Sequence, residues 1–448
     1  MRRLLVEIVP ALEDIYSPRN EYSKGRLISL ISSLITAFYN VFITGIFYTG
    51  FLSMYGISIT GVGIVSFIPY IGSCFAVFSP FVLRRFKKRK RVILASKILF
   101  YSLFILATTL MPLFVKTAHG RLVSLIAILF IAYAEYALFS PGITVWFYNF
   151  YPAENEKRTR YIYLNQMFSS VMSSVILLAS GIITDAVRAS GHQNTIILTL
   201  RYFAFALVLA DVFAQSRAKE YPYEETSHLR FMDIFTVPVK NRKFMLCMLL
   251  MFSWNFICNL NNGTFSYHLL NHMQFSYTLI NCMSVMYTVI LALTSGMWRR
   301  VLRKHSWVKT FGICNLLWVP TEILWFLTSK RLSYMYVPIS MWQNLLNVGL
   351  NLSYANILYM NLPGDESTAY ISFNVVGANV CALLGMVCGT WVVSLNADTP
   401  FLFMGIEVYT VQFTCLMRAL FMGIMGLVCF YGWKAFTSER EIALVEGV

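Results

Sequence analysis

The feature that most restricts this chain is the recurrence of apolar runs, uncharged or nearly so, long enough to cross a bilayer. Residues 27–54 and 58–83 hold no charged side chain at all. About 20 apolar residues in a helix span the hydrocarbon layer, and only structures that satisfy their own backbone hydrogen bonds persist there. Twelve such spans can be read: 27–54, 58–83, 92–115, 121–149, 161–187, 196–215, 244–269, 275–298, 308–328, 333–360, 370–394 and 409–433. The expected fold class is therefore an all-α polytopic membrane protein. A content of 57% hydrophobic and 13% charged residues separates the chain from soluble domains, where about 25% are charged.

Charge then orients the spans. Between spans 2 and 3, Leu83 to Arg91 holds seven cations in nine residues, and a weaker copy runs from Trp298 to His305 between spans 8 and 9. With both ends cytoplasmic, 28 of the 36 Lys and Arg fall in inner segments. The outer loops hold only Lys116, Arg121, Arg188, Lys330 and Arg331. That bias is the positive-inside pattern, and it predicts a multi-pass protein of the cytoplasmic (inner) membrane. A net charge of +15 would suggest nucleic acid in a soluble protein. Its distribution here points to anionic lipid headgroups instead, and no nucleic acid is expected.

The longest unspanned segment divides the chain into six plus six. The expected organisation is a cytoplasmic N-terminal segment (1–26), a six-helix bundle (27–215), a central loop (216–243), a second bundle (244–433) and a cytoplasmic tail (434–448). Within the central loop, Leu229, Phe231, Met232, Ile234 and Phe235 suit an interfacial helix, and a short one is also expected before Arg26. The start lacks the pattern of a cleavable signal peptide. The nine cysteines lie in apolar segments with no Cys-x-x-Cys spacing and read as small buried hydrophobes.

The halves repeat. Gly45 and Phe47 recur as Gly263 and Phe265, and Leu52–Ser58 recurs as Leu270–Ser276, all at an offset of 218. Tyr161 to Asn165 matches Tyr370 to Asn374, and Arg201 and Arg418 sit alike in spans 6 and 12. A repeat read in the same order in both halves implies two similarly oriented bundles.

With six plus six spans and a basic loop repeated at 2–3 and 8–9, the chain resembles the major facilitator superfamily (bacterial-type) over essentially its whole length. The family pattern of that loop is Gly-x-x-x-Asp-Arg/Lys-x-Gly-Arg/Lys-Arg/Lys. Ser79, Leu83, Arg84, Phe86, Lys87 and Lys88 fall on its positions, so the cations fit while both glycines and the acid are replaced. The resemblance would make Arg84, Arg85, Lys87, Lys88, Arg299 and Arg300 gating-loop residues, without the acid for a gating salt bridge. It also implies alternating access about a midplane site lined mostly by spans 1, 4, 7 and 10.

Residues three and four apart share a helix face. On span 1 this groups Ser33, Thr36, Asn40, Thr44 and Phe47, with Tyr39 nearby. On span 4 it groups Glu135, Phe139, Gly142 and Trp146. Span 7 offers Asn255, Asn259, Asn262 and Ser266, and span 10 offers Ser340, Asn344, Asn347, Asn351 and Tyr354. Such stripes are costly against lipid. They either line a wet cavity that binds substrate or hydrogen-bond helix to helix.

Glu135, at mid-depth, is a candidate proton-coupling carboxylate or a receiver of a cationic substrate group, or it is held by a neighbouring Tyr or Asn. Arg201 with Asp185, and Glu322 with Arg418, read as structural ion pairs. Lys97 and Asp211 can snorkel or pair. His268 and His272 have zinc-pair spacing but no third ligand in sequence, and read as surface histidines. Pro69, Pro80, Pro141-Gly142 and Pro320 are expected to interrupt helices.

No nucleotide loop, zinc-ligand cluster, nucleophile elbow or haem pair is present, so neither cofactor nor metal is expected and the chain does not read as an enzyme. The expected activity is secondary transport of a small polar solute, sugar- or nucleoside-like, by a monomer, with H+ or Na+ as the coupling ion. Amides would bond hydroxyls, and Tyr39, Trp146, Tyr354, Trp254 and Trp342 would stack on the solute. The alternatives are efflux of amphipathic cations, for which 16% aromatic residues, 21 methionines and Glu135 speak, or a non-transporting receptor or intramembrane enzyme.

Overall fold

The computed structural model describes residues 15–18, 20–86, 88–152, 155–189, 193–221, 233–357, 367–396, 399–403 and 406–437. Among them, 11 helical segments are long and apolar enough to cross a membrane. The expected tenth span is also a helix, Tyr336–Ile357. Its hydropathy is lowered by Gln343, Asn344, Asn347, Asn351 and Asn356, which is why it stands apart from the other eleven. Large apolar side chains cover the helix exteriors, among them Leu293, Leu420, Trp391 and Phe213. A soluble monomer rarely exposes this much continuous apolar surface.

Helix contacts group the chain into two units: residues 1–57 with 71–225, and 58–70 with 226–448. The first residues of span 2 thus cluster with the second unit. In the first unit, the opening helix begins at Glu21, earlier than hydropathy predicts, because Asn20 and Ser23 form a reciprocal capping box. Ile15 and Tyr16 pack on Leu30, Tyr161 and Leu164, and Arg26 Nε donates to the Ile15 carbonyl at 2.8 Å. The expected interfacial helix before Arg26 falls largely outside the described residues. In the central loop, the helix Asp233–Val239 is described and residues 222–232 are not.

In the second unit, the helices Trp307–Leu327 and Thr410–Phe436 form the most extensive helix pair. A Cβ on Gly312 would lie 2.8 Å from Cys429 Cβ and 2.9 Å from the Gly426 carbonyl, so backbone meets backbone there. Helix Ser367–Ser394 approaches span 7 in the same manner. Cβ atoms on Gly377, Gly385 and Gly389 would collide with the Phe252 ring, the Phe256 carbonyl and the Leu260 carbonyl. Small residues at helical spacing allow this approach, as in other membrane bundles.

The repeat is visible in the backbone. Among the described residues, positive φ occurs at Gly45 (56°), Gly56 (72°), Gly263 (78°) and Gln274 (57°). These are two pairs at the offset of 218. The first pair breaks spans 1 and 7 at equivalent points: Glu21–Ile43 gives way to Gly45–Met54, and Arg242–Asn259 to Thr264–Tyr267. Ser58 and Ser276, also 218 apart, each cap the next helix by accepting from Gly61 N and Leu279 N.

Three expectations change. Helix Trp307–Leu327 runs through Pro320 without interruption. Cys74 is exposed, whereas Cys247, Cys314, Cys415 and Cys429 are buried as expected and all nine thiols are free. A two-stranded antiparallel hairpin, Phe401–Phe403 with Ile406–Val408, lies before the last helix, where no strand was foreseen.

Candidate functional site

In the second unit the asparagine face of span 7 is a connected ladder. Asn255 Nδ2 donates to the Met251 carbonyl at 2.8 Å and to Tyr354 Oη of span 10 at 2.7 Å. Asn259 Nδ2 donates to the Asn255 carbonyl at 2.7 Å, and Asn262 Nδ2 donates to Asn259 Oδ1 at 3.1 Å. The sequence-predicted faces of spans 7 and 10 therefore meet at Asn255 and Tyr354. Asn344 turns to span 8 and donates to the Met283 carbonyl at 2.8 Å, a helix-to-helix role. Asn351 donates to Tyr287 Oη at 2.9 Å and remains exposed. Asn347 is half-buried, and its amide makes no hydrogen bond among the described residues. Trp254 meets Phe311 edge-on at 5.2 Å inside the core, and exposed Trp342 donates to the Leu317 carbonyl at 3.3 Å.

In the first unit the predicted face of span 1 serves mostly as an internal network. Ser33 accepts from Asn165 Nδ2 at 3.2 Å. Thr36 Oγ1 donates to Asp211 Oδ2 at 3.2 Å, and Tyr39 Oη lies 3.1 Å from Tyr101 Oη and 3.5 Å from Asp211 Oδ2. At the centre, Lys97 Nζ donates to Asp211 Oδ2 at 2.6 Å, with side chains 5% and 0% exposed. Asp211 Oδ1 makes no hydrogen bond among the described residues. Tyr39 is wholly buried and offers no ring face to a solute, which corrects its assignment as a binding residue. Thr44 Oγ1 bonds the Asn40 carbonyl of its own helix at 2.7 Å. The Asn40 amide is half-buried and unbonded among the described residues.

Span 4 breaks at Ser140, between helices Ala118–Phe139 and Pro141–Tyr148, as the Pro-Gly pair predicts. Phe139 packs edge-on against Phe86 at 6.3 Å. Trp146 is not a cavity residue: it is wholly buried among Leu94, Phe147, Phe150, Val212 and Ala218, and its Nε1 donates to the Lys219 carbonyl at 2.8 Å. The segment after span 6 covers it. Glu135 is half-buried, and its Oε2 is shielded from solvent with no hydrogen-bond partner; Ser96 Oγ, also unpartnered, lies beside it short of hydrogen-bonding geometry.

The basic loop presents Arg84, Arg85 and Lys88 as exposed cations, and Arg300 is exposed in the copy. Lys87 lies outside the described residues, as does the side chain of Arg299. Lys90, at the start of span 3, is engaged: its backbone N donates to Glu220 at 3.0 Å and its Nζ to the Ala218 carbonyl at 2.7 Å.

One charged group departs from its expected partner. Arg201 is fully buried and bonds Thr109 Oγ1 (2.9 Å), Thr108 Oγ1 (2.8 Å) and the Phe104 carbonyl (2.9 Å), with its guanidinium 3.7 Å from the Phe51 ring centroid. Hydroxyls and a ring face hold this cation in place of Asp185. Lys97 and Asp211, expected to snorkel or pair, do pair across 114 positions. Glu322 does pair with Arg418, at 3.2 Å, and accepts from Trp318 Nε1 at 2.7 Å.

No protein-family model and no curated protein matches this sequence. Solved structures do. The nucleoside transporter NupG shares 12% identity, with 93% of this chain and 99% of that chain covered and a TM-score of 0.64. A bacterial homologue of the iron transporter ferroportin gives 12%, 91%, 98% and 0.67. A D-xylose-proton symporter gives 10%, 94%, 99% and 0.62. At this identity the likeness shows the fold: the chain shares the helical architecture of these solved transporters over more than 90% of its length.

Proposed function

We propose that the chain is a secondary active transporter that moves a small, neutral, hydroxyl-rich solute, sugar- or nucleoside-like, by alternating access. The observation that carries this reading is the amide array of the second unit. Asn255 and Tyr354 join spans 7 and 10, while Asn262 and Asn351 are exposed and Asn347 keeps an unused amide. Each free amide offers both a donor and an acceptor to a hydroxyl. Binding sites in this kind of fold gather near interrupted helices, and spans 1 and 7 are both interrupted, at Gly45 and Gly263. Solved proteins of the same fold include a nucleoside transporter and a xylose-proton symporter, which supports the solute class.

Glu135 is the proposed coupling group. It is a half-buried acid inside span 4 with one oxygen shielded from solvent, and an ionisable side chain at such a position is a functional candidate. The binding residues of this proposal are Asn255, Asn259, Asn262, Asn347, Asn351 and Tyr354 in the second unit and, separately, Asn40 and Phe139 in the first, and both termini are proposed to be cytoplasmic. Uptake of labelled nucleosides and sugars into proteoliposomes tests the reading. A saturable uptake whose KM rises about tenfold in Asn347→Ala, the loss of about 1.4 kcal/mol, supports it. Uptake unchanged by Asn347→Ala and Asn259→Ala removes the amide array from the site. Transport of lipophilic cations alone, dependent on Glu135, would favour the efflux alternative.

A further inference from the structure

His268 and His272 are a second, independent feature of the second unit. They occupy a π-helical turn, His268–His272, at the end of span 7, where Met273 N donates to the His268 carbonyl at 2.9 Å. Single π turns are rare and concentrate at functional sites. His268 is only 2% exposed, which overturns the surface reading. Its Nδ1 lies 3.1 Å from Nδ1 of His272. The rings are held in place: Tyr409 stacks on His272 at 4.0 Å and 15°, and Phe265 lies 6.1 Å from His268.

Facing ring nitrogens have two uses. They can share one proton in an N–H···N bond, or both lone pairs can point to one cation. Two metal–imidazole bonds of about 2.0–2.1 Å at 90–109° put their nitrogens roughly 2.9–3.4 Å apart. The observed separation falls within that edge, and the stacked tyrosine limits the ring rotation that would widen it. We infer that His268 and His272 form a bidentate site for a divalent transition-metal ion of the zinc and nickel class, which imidazole favours.

Among the described residues no third His, Cys, Asp or Glu joins them. The two imidazoles alone would hold the ion less firmly than the four ligands of a structural zinc. Half-buried His272 provides the access. Clamping the end of span 7 next to Tyr409, which precedes the last helix, would join span 7 to span 12 at that end of the unit.

Equilibrium dialysis of the tag-free, chelator-stripped full chain against micromolar Ni2+ or Zn2+ tests the site. One ion per chain is expected for the wild type. His272→Ala and His268→Gln are each expected to weaken binding at least tenfold, while His119→Ala leaves it unchanged. Where His268→Gln fails to fold, the more exposed His272→Ala carries the test, with its thermal profile measured alongside. Absence of binding to the wild type, or binding retained in His272→Ala, overturns the inference.

Discussion

Removing one side of the Lys97–Asp211 pair should damage the first unit more than removing both. The pair is buried, with side chains 5% and 0% exposed and a contact of 2.6 Å. Breaking such a pair from one side costs about 3–5 kcal/mol, whereas replacing both ions by apolar groups of similar volume is close to neutral. The two sides are not equivalent here. In Lys97→Met, the Asp211 carboxylate keeps Thr36 Oγ1 at 3.2 Å and Tyr39 Oη at 3.5 Å as donors. In Asp211→Leu, the ammonium loses the one acceptor it has among the described residues. Asp211→Leu should therefore be the worse variant.

In the double variant, Tyr39 keeps Tyr101 at 3.1 Å and Thr36 keeps Tyr39 at 3.3 Å, so no hydroxyl is stranded. At about 2–4 °C per kcal/mol for a unit of this size, each single change should lower the melting temperature in detergent by roughly 6–20 °C. The double variant should recover most of that loss. Single variants within about 0.5 kcal/mol of wild type, or a double variant that melts as low as Asp211→Leu, would refute the reasoning. A double variant that folds but no longer transports would assign the pair to function instead of structure.

Three further outcomes are expected. Glu135→Gln should abolish gradient-driven accumulation while leaving expression and substrate exchange intact; unchanged accumulation with unchanged pH dependence would remove its coupling role. Gly389→Val should destabilise by about 3 kcal/mol or more, because its Cβ would collide with the Leu260 carbonyl. Gly423→Ala, whose Cβ meets only Val319 Cγ2 at 3.7 Å, should be neutral or stabilising by up to about 1 kcal/mol, and equal melting of the two would contradict the packing argument. Cysteines introduced as Lys88→Cys and Arg303→Cys should react with an impermeant maleimide only from the cytoplasmic side, and labelling from outside would reverse the proposed topology.

How far the sequence could be read depended on the range of each interaction. Spans follow from hydropathy, a local property, and all twelve segments are helical over their described residues. The repeat was legible because Gly45/Gly263 mark a positive φ that few residues adopt and Ser58/Ser276 mark a side-chain N-cap. Gln274 was missed because it takes the same positive φ as Gly56 without being a glycine. Helical periodicity found the span 7 and span 10 faces, whose donors and acceptors lie along one helix or between two.

It failed for Trp146 and Tyr39, whose burial depends on the distant segment at Ala218–Lys219 and on Asp211. The Lys97–Asp211 and Arg201–Thr108 contacts join different spans, and nothing local distinguishes them from snorkelling charges. The hairpin at Phe401–Phe403 is three residues per strand, too short for alternation to register.

The central claim is that a hydroxyl-rich neutral solute binds to the amides of spans 7 and 10. The most direct measurement is a thermal-shift screen of the purified protein against nucleosides, sugars, amino acids and lipophilic cations, repeated with Asn347→Ala and Asn259→Ala. The account predicts stabilisation by a nucleoside or sugar that disappears in both variants while their ligand-free melting temperatures stay near wild type. Stabilisation by a lipophilic cation alone, or a nucleoside or sugar shift that survives both substitutions, would contradict it.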